Sequence, residues 1–156
     1  MPPEEAAGGL RLRAEDADDL AVISACLQDA LVPVGDIAYL AQERSFVFVA
    51  NRFRWEAGER AAGAAGFERT LCAVAFDAVG GVHYRGFRRG ARERILPLLA
   101  IRPEARPGRE GGMIHLDFSG GAGIRLEVDR ILCRVKDVGL PWPTPWRPRH
   151  DPGGRR

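Results

Sequence analysis

The sequence predicts an α+β fold: a single antiparallel, strongly bent sheet of about six to eight strands, with one N-terminal helix packed on it. Alternating apolar and polar residues recur between residues 37 and 128, as in strands with one buried face. Apolar residues at helical spacing are clearest between residues 16 and 31. A half-barrel or a pleckstrin-homology-like sheet is compatible with this order of elements.

Length and composition predict one domain. A chain of 156 residues is long enough to bury one core, which we place at residues 1–139, ahead of a tail rich in proline, tryptophan and arginine at residues 140–156. No apolar run reaches the roughly 18 residues of a membrane helix. The acidic start MPPEEAAGG is unlike a secretory signal. We therefore expect a cytoplasmic protein that does not enter a membrane.

The first two elements are a short strand and a helix. Leu10, Leu12 and Ala14 alternate with arginines, which predicts the strand. From Asp16 to Leu31 the apolar residues follow helical spacing, with Asp16 as the N-cap and two further aspartates in the first turn, where the helix dipole favours negative charge.

Residues 37–50 predict two strands joined by a polar turn. The second strand carries Phe46 and Phe48 on one face and Val47 and Val49 on the other. A strand with one wet face would not carry valines there, so we expect this strand to be central and covered on one side by the helix.

The middle of the chain contains two glycine-rich stretches. Residues 56–66 predict a loop or a weak helical turn, and residues 67–87 return to β character. Gly80 and Gly81 fit either a two-residue hairpin turn or a bulge in one long bent strand. The hairpin is slightly favoured.

Two more strand regions follow. The apolar run at residues 95–101 contains Pro97, which fits an edge or near-edge strand, and a loop is expected at residues 103–112. Residues 113–118 and 124–128 predict a hairpin, because each carries apolar side chains at every second position.

The end of the chain is less regular. Residues 129–138 fit a helix or a strand that continues past a bulge, and we favour the strand. The tail is too rich in proline for a helix or a central strand, so it is expected to be extended or disordered.

Arginine is the main surface signal. Residues 1–43 contain two arginines against nine acidic residues, whereas residues 81–109 contain eight arginines against two acidic residues. Guanidinium groups suit bidentate contacts with carboxylate or phosphate. Two blocks combine arginines with aromatic residues, and they would form an anion-binding corner if both lay at one end of the sheet. The predicted binding residues are Arg52, Arg54, Trp55, Arg85, Arg88, Arg89, Arg92 and Arg94.

The same charge pattern has a structural interpretation, which we favour. The arginines of residues 88–94 can pair with the acidic N-terminal segment around Asp18 and Asp19 and cancel its charge within the fold. Among functions, we predict a cytosolic, non-enzymatic binding or accessory protein whose partner is an acidic protein surface. A nucleic-acid or phosphometabolite binder that uses the same arginines is the alternative.

No catalytic residue, metal site or cofactor is predicted. His115 and Asp117 point to the same side of a strand and could form a general-base pair, but a solvated strand face is the favoured interpretation. An enzyme that uses these two residues is therefore the third hypothesis. His83 is a lone histidine on a short strand.

The cysteines and glycines carry no stronger motif. The cysteines are far apart in sequence, lack metal-ligand spacing and lie in apolar runs, which is typical of inert core thiols. The glycines near residue 120 precede a predicted strand, whereas a phosphate-binding loop precedes a helix. These residues are Cys26, Cys72, Cys133, Gly120, Gly121 and Gly123.

Three motifs stand out by their order: Gln28-Asp29-Ala30, Asn51-Arg52-Phe53-Arg54-Trp55, and the ending from Trp142 to His150. Together they resemble a family of uncharacterised alphaproteobacterial proteins of about this length, and the resemblance spans Leu10 to His150. It implies a bacterial cytosolic protein, and it brings no activity, substrate or cofactor. It also implies that the tail lies along the fold, with Trp142 on an apolar surface.

Overall fold

A computed structural model describes residues 9–54, 67–108 and 111–139, and of Phe67 and residues 142–144 the backbone alone. Within these residues the chain forms eleven strands and one α-helix. The prediction of six to eight strands is therefore wrong, although the chain remains roughly α+β. The strands are β1 (Arg11–Ala14), β2 (Leu31–Pro33), β3 (Ile37–Leu40), β4 (Ser45–Phe53), β5 (Phe67–Phe76), β6 (Val79–Arg85), β7 (Ile95–Ala105), β8 (Gly112–Phe118), β9 (Gly123–Val128), β10 (Cys133–Asp137) and β11 (Trp142–Thr144).

The strands join in the order β1-β10-β5-β4-β2-β7-β8-β9-β6, with β11 beside β5 and β3 beside β4. Every pair is antiparallel. β5 runs into β6 and β9 runs into β10, and β5 pairs with β10 while β6 pairs with β9. These four strands thus form one long two-stranded ribbon. Its β5–β10 half lies near one end of the strand order and its β6–β9 half at the other, and the ribbon bends between the two halves.

The bend of this ribbon corrects the prediction at Gly80 and Gly81. These residues do not form a hairpin turn, because β6 pairs with β9 and not with β5. The register shifts between Val79 and Gly81, which is a bulge, and Ala78 just before it has a φ of 58°. A bulge adds one unpaired residue and increases the local twist, so the strand changes direction here. The alternative of one long bent strand is the correct one.

The helix α1 (Ala17–Cys26) is shorter than predicted. Asp16 is its N-cap, as expected, with Oδ1 accepting a hydrogen bond of 2.8 Å from the backbone N–H of Asp19. The helix ends at Cys26, and Leu31 lies in strand β2. Leu31 continues the helical spacing of apolar residues, so the sequence alone gave no sign that it pairs with Pro97 of β7.

The helix packs against β1 and β7. Its Ser24 Oγ accepts a hydrogen bond of 2.9 Å from the backbone N–H of Ile101 in β7, and the carbonyl of Ala30 accepts one of 2.8 Å from Leu98. These contacts give hydrogen-bond acceptors to backbone N–H groups of β7 that lie beyond the end of the short β2. Pro97 therefore lies in a strand with neighbours on both sides, not in an edge strand, and β7 extends into the predicted loop as far as Ala105.

Strand β4 is central, as its two apolar faces predict, with β5 on one side and β2 and β3 on the other. The helix that was expected to cover it packs chiefly against β1 and β7. Phe46 and Phe48 are buried and contact each other edge to face at 6.2 Å between ring centroids. The predicted late hairpin is confirmed as β8 and β9, and the favoured strand after it is β10. Their inward residues complete the core: Ile114, Leu116, Phe118, Ile124, Leu126, Val128, Cys133 and Val135.

The backbone of the tail forms a strand at its start. Trp142 pairs with Arg69, and Thr144 pairs with Phe67, so that β11 continues the sheet beside β5. The predicted loop at residues 56–66 and the rest of the tail lie outside the described residues.

Candidate functional site

The predicted arginine run forms an exposed loop between β6 and β7. We call residues 86–94 the arginine loop. Its four arginines, Arg88, Arg89, Arg92 and Arg94, are all exposed. None of them forms an ion pair with a carboxylate of the described residues, so the favoured pairing with Asp18 and Asp19 is not seen there.

Two aromatic side chains lie between the arginine loop and the core. Tyr84 and Phe87 contact each other edge to face at 5.8 Å, and both pack against the core. The guanidinium of Arg89 lies 4.5 Å above the Tyr84 ring, a cation–π contact. The contact holds the exposed Arg89 side chain against the ring.

Backbone hydrogen bonds hold the loop against the turn after β2. Val34 donates to the carbonyl of Arg94, and Gly35 donates to that of Arg92, both at 2.9 Å. The side chains of these arginines donate to the carbonyls of Gly86 and Gly35. The close approach favours glycine at position 35, where a Cβ would lie 3.1 Å from the Arg92 carbonyl oxygen. Arg92 and Arg94 are thus partly structural, whereas Arg88 and Arg89 are less constrained.

Arg85 lies on the other side of the sheet from the loop aromatics. Successive side chains of a strand alternate, so Arg85 and Tyr84 of β6 face opposite ways. Arg85 extends over Gly123, its strand partner in β9, and its charge helps to lower the pKa of Asp117. It therefore belongs to the outer face of β6–β9 and not to the aromatic side of the loop.

Arg52 is buried in the core and forms an ion pair with Asp137. The side chains are 0% and 3% exposed. Arg52 Nε donates to Asp137 Oδ1 at 2.9 Å, and Arg52 Nη2 donates to Oδ2 at 2.8 Å. The same Oδ2 accepts the backbone N–H of Leu10. Asp137 and its partners thus tie β4, β10 and the start of β1 together, and Arg52 does not reach the surface.

Arg54 pairs with Glu68 across the β4–β5 edge, and the two side chains are about three-quarters buried. Trp55 lies outside the described residues. The contacts of Arg52 and Arg54 are with β5 and β10, whereas those of the arginine loop are with residues 34, 35 and 84. Among the described residues, the two predicted blocks therefore share no contact.

His115 and Asp117 lie on one outer face, as predicted, but each has a different partner. His115 Nε2 is 2.6 Å from Glu104 Oε1, and Asp117 accepts from Arg102. The Arg102 guanidinium holds the pKa of Asp117 below its usual range. In the predicted general-base pair, the Asp117 carboxylate would orient the His115 imidazole. Asp117 is instead bonded to Arg102, and His115 is bonded to Glu104. His83 pairs in the same way with Glu127, at 2.9 Å, and lowers the pKa of that carboxyl.

A second buried arginine, Arg69 in β5, is not among the residues predicted from the sequence. It is 9% exposed. Its Nε donates to Asn51 Oδ1 at 2.6 Å, and its Nη2 donates to the carbonyls of Asn51 at 2.9 Å and Asp29 at 3.5 Å. Burial lowers the pKa of Arg69 to about 10, against the opposing charge of Asp29. Nothing in the local pattern marks it, because β5 places it on the outer face with exposed Leu71.

The other candidate groups, the cysteines and the glycines near residue 120, form no functional site among the described residues. Cys72 and Cys133 are buried, and burial raises the pKa of both thiols, that of Cys72 to about 12. The Ser119–Gly121 turn leads into β9 and not into a helix. Over the described ranges, no group of three or more His, Cys, Asp or Glu side chains could hold a metal ion, and no helix is long and apolar enough to span a membrane.

Comparison with known proteins identifies the family. No curated protein and no solved structure matches the chain. One family model matches residues 10–150, which is most of the sequence and agrees with the extent of the resemblance seen in its motifs. The protein belongs to the family described as "Protein of unknown function (DUF2948)".

Proposed function

We propose that this protein is a non-enzymatic binding or accessory protein of the bacterial cytosol, and that the arginine loop contacts an acidic protein surface. One observation carries the proposal: four exposed arginines lie on a loop whose backbone is hydrogen-bonded to residues 34 and 35. A loop held in this way presents its guanidinium groups with little ordering cost on binding. Arginine favours carboxylate partners because its fork matches their two oxygens.

Arg88 and Arg89 are the two residues to change first. Arg92 and Arg94 donate to backbone carbonyls, so their loss would also disturb the loop. An Arg88→Gln/Arg89→Gln variant removes two charges from the loop. Arg11→Gln/Arg130→Gln removes two exposed charges elsewhere and is the matched control.

The test is quantitative affinity purification from cells that contain the protein, with wild type, loop variant and control in parallel. We expect an acidic protein to be recovered with wild type and control, and at least tenfold less of it with the loop variant. Equal recovery with all three would contradict the proposal.

Nucleic-acid or phosphometabolite binding by the same arginines is the second candidate. The cation–π contact of Arg89 with Tyr84, next to Phe87, favours it, since arginine and aromatic side chains also bind bases. Binding to RNA and to DNA should then fall steeply as salt is raised. Absence of binding at low salt would exclude nucleic acid and leave the acidic protein surface.

A further inference from the structure

Arg69 differs from the other buried arginine in its partners. Arg52 is neutralised by Asp137, whereas each hydrogen bond of Arg69 goes to a neutral oxygen, of Asn51 or of the Asp29 backbone. No carboxylate of the described residues lies within 4 Å of the Arg69 guanidinium. A buried cation without a paired anion is costly, since it loses hydration without regaining it from an opposite charge.

The guanidinium also has donors to spare. Arginine carries five N–H groups. Nε uses one and Nη2 uses two, one of them in a long contact of 3.5 Å to the Asp29 carbonyl. Nη1 donates to no acceptor in the described part of the chain. Two strong donors of a side chain that is 9% exposed are therefore available to an oxygen ligand.

We propose that Arg69 is the anchor of an oxyanion-binding site on the outer face of β5, which takes a carboxylate or phosphate group at Nη1. Asn51 holds the guanidinium from the opposite edge, so that its orientation is set before the ligand arrives. Leu71 lies two residues further along the same strand face and is 40% exposed, which gives the site an apolar neighbour. Burial is the larger cause of the lowered pKa of Arg69, and the negative charge of Asp29 offsets it only in part. This site is independent of the arginine loop.

The experiment compares the midpoint temperature of unfolding in sodium phosphate, sodium acetate and sodium chloride at equal ionic strength. A ligand that binds only the folded state stabilises it, and at a concentration about 100 times Kd the midpoint should rise by roughly 5 to 10 °C for a domain of this size. We expect this saturable rise in phosphate or acetate, and the more effective anion identifies the oxyanion class. No rise beyond that in chloride would overturn the proposal, because the guanidinium would then already be neutralised within the chain.

Two variants and a control locate the effect. Arg69→Gln should remove the anion response, whereas Arg89→Gln, an exposed arginine, should keep it. Asn51→Asp places a carboxylate oxygen 2.6 Å from Nε. We expect it to raise the midpoint temperature without added anion and to weaken the anion response at least tenfold in apparent affinity. If Arg69→Gln does not fold, Asn51→Asp decides the question. A response in either variant equal to that of wild type would overturn the site.

Discussion

Arg52 and Asp137 form an ion pair that is closed off from solvent and connects β4 to β10 across β5. Both carboxylate oxygens and both facing guanidinium nitrogens are used. The pair occupies the end of the core where the apolar residues of β4 and β10 stop. It makes the first arginine of the predicted binding block a structural residue.

Removing one partner of this pair should be severely destabilising. Asp137→Ala removes the carboxylate that accepts two hydrogen bonds from the buried Arg52, and we expect the free energy of unfolding to fall by about 3–5 kcal/mol. Chemical denaturation measures this. Glu15→Ala, which breaks the exposed pair with Arg13, should cost less than about 1 kcal/mol and is the control. An Arg52→Met/Asp137→Leu variant should lose less than the two single changes together, and an additive loss would contradict a coupled pair.

Gly86 should be required for the arginine loop. Its φ is +81°, and a Cβ there would lie 2.5 Å from the carbonyl oxygen of Gly121. Gly86→Ala is expected to cost about 1–3 kcal/mol, because it combines a left-handed backbone with a collision. Gly90→Ala has open space around it and should change stability little. Thermal unfolding of both variants measures the difference. Similar midpoint temperatures for the two would contradict the left-handed backbone and the close contact at Gly86.

The Arg102–Asp117 pair predicts an acid-dependent contribution to stability. The pKa of Asp117 is lowered in the folded protein, chiefly by the hydrogen bond from Arg102. The contribution is therefore present above the unfolded value of about 3.9 and is lost as the pH falls through the folded pKa. Carboxyl NMR should place the Asp117 midpoint below about 3.9. Arg102→Gln should raise it, and an unchanged midpoint would contradict the pairing.

Thiol reactivity should separate the cysteines. Cys72 and Cys133 are buried with raised pKa, so little thiolate is available at neutral pH. Cys26 at the end of α1 is only partly buried. A thiol reagent should label Cys26 first in the native protein and all three after denaturation. Cys26→Ser should abolish the fast phase, and fast labelling that persists in this variant would mean that the core opens readily.

Period-two alternation predicted the strands that are paired locally, and it missed partners that are distant in sequence. The β8–β9 hairpin is joined by a short turn, so its two patterns could be recognised together. β2 has three residues and pairs with Pro97, which no local pattern reveals. β11 lies in a segment whose prolines argue against a central strand, yet its backbone pairs with β5 at the sheet edge.

The buried ion pair had a signal that could have been used. Arg52 follows Phe46, Phe48 and Ala50 at every second position, so alternation alone places it on the buried face of β4. Asp137 follows Cys133 and Val135 in the same way. Charged side chains are rarely buried unless they are paired, so opposite charges on two buried strand faces predict an ion pair between them. Arg69 offers no such signal, because alternation places it on the outer face of β5, with the exposed Leu71.

The Arg52–Asp137 pair spans 85 residues of chain. A ribosome adds about 5–20 residues per second, so Arg52 emerges roughly 4–17 seconds before the carboxylate that neutralises it. During that interval β4 cannot bury its last inward side chain against the carboxylate that pairs with it in the folded protein. The nascent chain must therefore keep this end of its core hydrated until translation has passed Asp137, and the first strand must wait for the same event, since β1 also pairs with β10.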